Sequence, residues 1–206
     1  VEYESSKRAF YADFGIHYEF NTTGNQKWAA GLVFAPSLQV NHENNLTYSN
    51  SSTSEGVDKS YHSRTQYLPM HIGTGISMTT ERWVVTTDYN YLDWSRNTSS
   101  YTSMKYENQH KLNIGGAYIT NPRLPRSTEL MGGIGLSNSY INLRGGKMKY
   151  LEVSAGASFP IRYSYLSLGA TWRKQINSRS SLMQESRFSM NLNITFGERI
   201  SRSKLR

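Results

Sequence analysis

Cysteine is absent from the 206 residues, which excludes a disulfide framework, a thiol nucleophile and a thiolate metal site. Long apolar runs are also missing. None reaches the roughly 18 residues that a membrane-spanning helix needs, hydrophobic residues make up 37%, and mean hydropathy is −0.61. Charge is scarce, at 18% of residues, against about 25% in an ordinary soluble domain. What is plentiful is aromatic side chains, at 13%, in a background of Ser, Thr and Asn. Polar-uncharged and aromatic residues together favour strands over helices.

The distribution along the chain is one of period-two alternation. Phe10, Ala12, Phe14, Ile16, Tyr18 and Phe20 interleave with Tyr11, Asp13, Gly15, His17 and Glu19; Leu68 to Met78 and Phe188 to Phe196 repeat the pattern. Each stretch is a strand with one apolar and one polar face. Similar stretches at 28–40, 83–91, 112–118, 130–136, 151–159 and 166–172 bring the expectation to about nine strands and no helix. The links sort by length. Short ones are expected at 22–26, 79–82, 121–127 and 160–164, and long polar ones at 41–64, 93–108, 137–149 and 173–186. Two registers follow from parity. A two-residue turn at Thr80 and Glu81 pairs Thr79 with Arg82, His71 with Asn90 and Gly73 with Asp88; a turn at Arg162 and Tyr163 pairs Phe159 with Leu166.

The apolar face carries Tyr18, Phe20, Trp28, Trp83, Tyr118, Phe159 and Phe196 near the short links, and Phe10, Tyr89, Tyr91, Trp172 and Phe188 towards the long ones. Two aromatic belts bracketing an aliphatic middle are the interfacial girdles of a membrane barrel. The polar face, with Asp13, His17, Glu19, Asp88, Lys111, Asn191 and Asn193, suits a wet lumen better than a sandwich core. The expected fold is therefore all-β, an antiparallel transmembrane β-barrel of the outer-membrane type. It occupies residues 1–197, with a basic periplasmic tail at 198–206, in the bacterial outer membrane. Counting strands back from Phe196 puts Val1 on the outside, so upstream strands are expected to complete the barrel.

The stretch YLPMHIGTGISMTTERWVVTTDYNYLDWS, from Tyr67 to Ser95, resembles the FadL/TodX family of outer-membrane transporters for hydrophobic compounds. The likeness rests on Leu68, Pro69, Gly73, Asp88, Tyr89, Tyr91, Asp93 and Trp94, and runs more loosely to Phe196. It implies a fourteen-stranded barrel with an N-terminal hatch, of which this chain would supply the last nine strands. It also implies passive uptake of hydrophobic small molecules such as long-chain fatty acids or aromatic hydrocarbons. A branch of that family serves protein secretion, so the alternative is a barrel acting as anchor or shuttle with a secretion-machinery protein as partner.

No chemistry of an enzyme is expected. There is no G-x-S-x-G elbow, and His17, His42, His62, His71 and His110 are scattered without metal-ligand spacing. Asp13 lies roughly 13 Å from His17 along the strand, whereas His71 stands diagonal to Asp88, close enough for a structural polar pair. Candidate lumen residues are accordingly Asp13, His17, Glu19, His71, Asp88, Asn90, Lys111 and Asn191, with no cofactor and no metal. The net charge of +8 comes from dispersed residues rather than a nucleic-acid motif. Lys7, Arg8, Arg173, Lys174 and Arg179 fall near the long-link rim, where outer-membrane lipid and lipopolysaccharide phosphates are the expected partners.

Overall fold

Alternating side chains with few helix-favouring runs give strands throughout the computed structural model, which describes residues 2–22, 26–50, 53–62, 66–99, 101–124, 126–143, 146–161, 164–177 and 184–196. In chain order the strands are β1 Glu2–Ala9, β2 Phe14–Thr22, β3 Gln26–Ala35, β4 Gln39–Asn50, β5 Thr53–His62, β6 Gln66–Tyr67, β7 Met70–Thr79, β8 Trp83–Asp93, β9 Met104–Tyr106, β10 Gln109–Ile119, β11 Glu129–Asn138, β12 Ile141–Leu143, β13 Lys149–Ile161, β14 Ser164–Asn177 and β15 Ser186–Phe196. No helix occurs among the described residues.

Nine strands form one antiparallel sheet in the order β15-β14-β13-β11-β10-β8-β7-β3-β2. These are the nine expected from alternation. The described residues do not close this sheet into a barrel, since β2 and β15 are its two edges and do not contact each other. Phe159 faces Leu166 as expected. The other hairpin differs. Thr79 faces Val84, Gly73 faces Asn90 and His71 faces Leu92, because the turn sits at Glu81 and Arg82. Its closure has a local cause: Trp83 donates its N–H to Thr80 Oγ1 at 2.9 Å, and Thr80 donates to the Trp83 carbonyl at 2.7 Å. Moving a turn by one residue shifts the pairing by two, so each side chain keeps its face.

The expected long link at 41–64 is instead a structured arm. The β3–β7 ladder stops at Ala35 and His71, where Pro36 and Pro69 each lack the N–H that a ladder requires. It resumes as β4 against β6, with Leu68 N–H donating to the Leu38 carbonyl at 2.8 Å. From there β4 and β5 run on as a hairpin, and β1 pairs along the other edge of β4. Links 93–108 and 137–149 likewise contain paired strands, β9 and β12. Asp13 is a correction: β2 begins at Phe14, so Asp13 lies in the connection from β1 and not on the polar strand face. The basic tail at 198–206 and Arg179 lie outside the described residues.

The large sheet has almost no dry core. Among the described residues only Ala35 and Tyr150 are buried apolar side chains, while Ile16, Ile134 and Leu192 are 72%, 57% and 64% exposed. Every contact between described elements is between hydrogen-bonded neighbours. Among the described residues no second layer covers the apolar face, which departs from the face-to-face packing of a β-sandwich.

Candidate functional site

The polar face of the nine-stranded sheet brings four side chains into one network. His71 on β7 donates from Nε2 to Asn90 Oδ1 at 2.9 Å. Asn90 donates from Nδ2 to Asp88 Oδ1 at 2.8 Å, and Asn113 on β10 donates to the same oxygen at 2.9 Å. The amide oxygen of Asn90 accepts only, so this arrangement assigns the His71 proton to Nε2. His71 reaches Asp88 through Asn90 and not directly. Lys111 stands opposite Asn90 on the same face.

Asn113, which sequence reasoning missed, belongs to a recurring arrangement. Three asparagines each lie over the glycine directly opposite: Asn90 over Gly73, Asn113 over Gly135 and Asn191 over Gly169. A Cβ built on those glycines would stand 2.9, 2.7 and 2.5 Å from the respective Oδ1 atoms. A methyl at any of these positions would displace the amide above it. With Gly115, Gly133 and Gly156, the Asn113–Gly135 and Asn191–Gly169 positions line a depression of about 480 Å³ that runs from Asp88 to Asn191. It crosses six strands, β8 to β15, whose five spacings amount to about 24 Å.

The remaining candidates stand apart. His17 and Glu19 face the polar side of β2, both exposed, with Nδ1 and Oε1 3.8 Å apart. Among the described residues, no hydrogen bond or ion pair joins them to the His71 network, although His17 and Asp88 line one shallow depression of about 200 Å³. The polar face is thus an amide-rich surface.

The apolar face carries the expected aromatics in contact. Tyr18 and Phe20 have ring centroids 5.9 Å apart, Phe20 and Trp28 6.4 Å, and Trp83 and Tyr118 4.7 Å, all near the short turns. At the opposite end Tyr89 and Tyr91 pack on His110, with Tyr89 Oη 2.7 Å from His110 Nδ1. Beyond them, in the links between strands, Trp94, Tyr106 and Tyr140 form a three-ring stack with centroids 4.5 to 6.5 Å apart. Asn97 and Tyr67 fasten this region by reciprocal bonds of 2.8 Å. The density of aromatics within links 93–108 and 137–149 was the available signal for that stack.

No curated protein matches this chain. The likeness to the FadL/TodX transporters is overturned, because the family model that fits is a different one and spans nearly the whole chain. Leu68 and Pro69 have a local explanation in the break of the β3–β7 ladder, and Gly73 in the amide of Asn90 lying above it. The matching model, described as BamG, covers residues 2–203, and the chain belongs to the BamG family.

Proposed function

We propose that the nine-stranded sheet is wall of a transmembrane β-barrel in the bacterial outer membrane, and that the protein serves there as a structural partner of the barrel assembly machinery. The family name BamG points to that machinery. Membrane placement is supported by the uncovered apolar face with its two aromatic belts, set against a polar face holding Asp88, Asn113 and Glu152. In hydrocarbon that apolar face needs no second layer, and the polar face is satisfied by water in a lumen. Strand edges in lipid must be paired, so β2 and β15 would meet further strands or each other there.

The observation that carries the partner role is the arm β4–β5 with β1 along its edge. A passive pore needs only a loop at that point. Here 12- and 10-residue strands continue past the proline break as a sheet of their own. A paired, ordered extension presents backbone edges and a defined surface to a second protein. The amide-lined polar face also suits water better than an apolar solute, which favours the protein-partner role over hydrophobic uptake.

The test is affinity capture of the full-length protein from outer membranes in mild detergent. The expected result is stoichiometric recovery of the machinery's barrel subunit, lost when residues 39–62 are replaced by a short Gly-Ser linker while the sheet stays folded. Recovery of the protein alone, with the arm intact, would contradict the role.

A further inference from the structure

Cations on the apolar face are confined to one end of it. Strand parity puts Lys149 and Lys174, with the imidazole of His110 beside them, on the same side as Leu112, Leu136 and Leu151. All three lie at the ends of β10, β13 and β14 away from the short turns. Lys149 faces Asn138 and Asn177, and Lys174 faces Leu151, one diagonal step away. A bulge between Lys149 and Tyr150 leaves Ile176 as the extra residue. The Lys174 ammonium stands 5.8 Å from the Trp172 ring centre. Lys147 adds a third cation, 69% exposed and 3.6 Å from Glu107. At the short-turn end, the described apolar-face positions include Phe20, Trp28, Trp83, Tyr118 and Leu130, and none is Lys or Arg.

Between the cations and the aliphatic middle lies a cavity of about 920 Å³. Leu112, Leu136, Met148 and Ile176 supply its apolar wall, and Lys147, Lys149 and the Lys147-paired Glu107 its charged margin, with His110 beside them. Asn108, Asn138 and Tyr106 supply neutral polar groups. This layout matches one ligand class on three counts. Acyl chains would lie on the leucines, phosphate would meet the lysines, and sugar hydroxyls would meet the amides and the tyrosine. A soluble phosphate would leave the apolar wall unmatched. Lysine stems can lie along apolar surface while the ammonium stays at headgroup depth.

We propose that this patch is a docking site for a phosphorylated glycolipid of the outer leaflet, the chemistry of lipid A. The proposal rests on the membrane placement argued above. It makes the β10–β14 sector the side of the barrel that faces bulk outer leaflet.

The experiment uses full-length protein extracted from outer membranes in non-ionic detergent, with bound lipid identified by native mass spectrometry and retitrated with lipid A or with phosphatidylglycerol. Wild type is expected to retain about one lipid A per chain. Each lysine at an anionic surface is worth roughly five-fold in affinity, so the K147A/K149A/K174A variant should bind about a hundredfold more weakly. A control of equal charge change away from the patch, K27A/R82A/R123A, should bind as wild type. The K149M/K174M variant, which keeps the apolar stems, serves if the triple variant does not fold. Equal retention of phosphatidylglycerol, equal loss in the control, displacement by a bound acidic protein segment or no retained lipid would each overturn the site. Recovery of the machinery's barrel subunit is scored in the same samples. Lipid lost with the subunit retained in wild type overturns the lipid site alone, whereas lipid retained without the subunit overturns the partner role alone.

Discussion

Replacing glycines on the polar face with alanine should cost different amounts according to what the new methyl meets. At Gly156 a Cβ would stand 2.8 Å from the Leu168 carbonyl oxygen, a backbone atom held in the β13–β14 ladder. Relief requires the two strands to move apart, and overpacking of that kind costs about 1 to 3 kcal/mol. At Gly135 the Cβ would stand 2.7 Å from Asn113 Oδ1, the end of a movable side chain. There the amide swings away and its 2.9 Å bond to Asp88 is lost. A partly exposed hydrogen bond contributes about 0.5 to 1.5 kcal/mol net. The two variants therefore separate in a double-mutant cycle. With Asn113→Ala already present, Gly135→Ala should become nearly neutral, because the atom it displaces is gone. Gly156→Ala should keep its full cost in the same background. Urea unfolding of the refolded protein in detergent, followed by heat-modifiable mobility, measures both. Equal costs for the two glycines, or additivity of Gly135→Ala with Asn113→Ala, would refute the reasoning.

Two further outcomes follow from the same faces. Leu192→Arg should destabilise the membrane-embedded protein by about 2 to 4 kcal/mol, the cost of a charge at mid-bilayer, while Asn191→Ser on the neighbouring polar position should cost well under 1 kcal/mol; urea titration in lipid vesicles compares them. Asp88→Leu leaves the Asn90 and Asn113 amides without their shared acceptor and should cost more than Asp88→Asn, which keeps an acceptor oxygen, as read by thermal unfolding in detergent.

The nine strands of the large sheet were legible because each carries an apolar face, and alternation survives whatever covers that face. The Phe159–Leu166 register was legible for the same reason. The turn at Glu81 and Arg82 was displaced by one residue because the Thr80 hydroxyl takes the Trp83 N–H, a side-chain preference that alternation does not encode. Strands β1, β4 and β5 escape a reading by alternation because their apolar residues are sparse: in β4 only Val40, Leu46 and Tyr48 stand among His42, Asn44, Asn45, Ser49 and Asn50. Pro36 and Pro69 were the visible marks of the break that launches the arm. At the site, His71, Asp88 and Asn90 were found from parity. Asn113 was not, because its role depends on the glycine across the strand, and cross-strand partners are set by register. Of the residues behind the likeness to FadL/TodX, Pro69 and Gly73 have local structural causes, the ladder break and the Asn90 amide, while the family model that fits is BamG.

The central claim is that one face of the sheet meets lipid and the other meets water. With no native cysteine, every cysteine introduced from Phe188 to Thr195 on β15 takes a single nitroxide label. Electron paramagnetic resonance on the protein in lipid vesicles then compares collisions with oxygen and with a water-soluble nickel chelate. The account predicts alternation with period two. Labels at Phe188, Met190, Leu192 and Ile194 should meet oxygen, and labels at Ser189, Asn191, Asn193 and Thr195 should meet the chelate. Access of the chelate to both sets, without alternation, would contradict it.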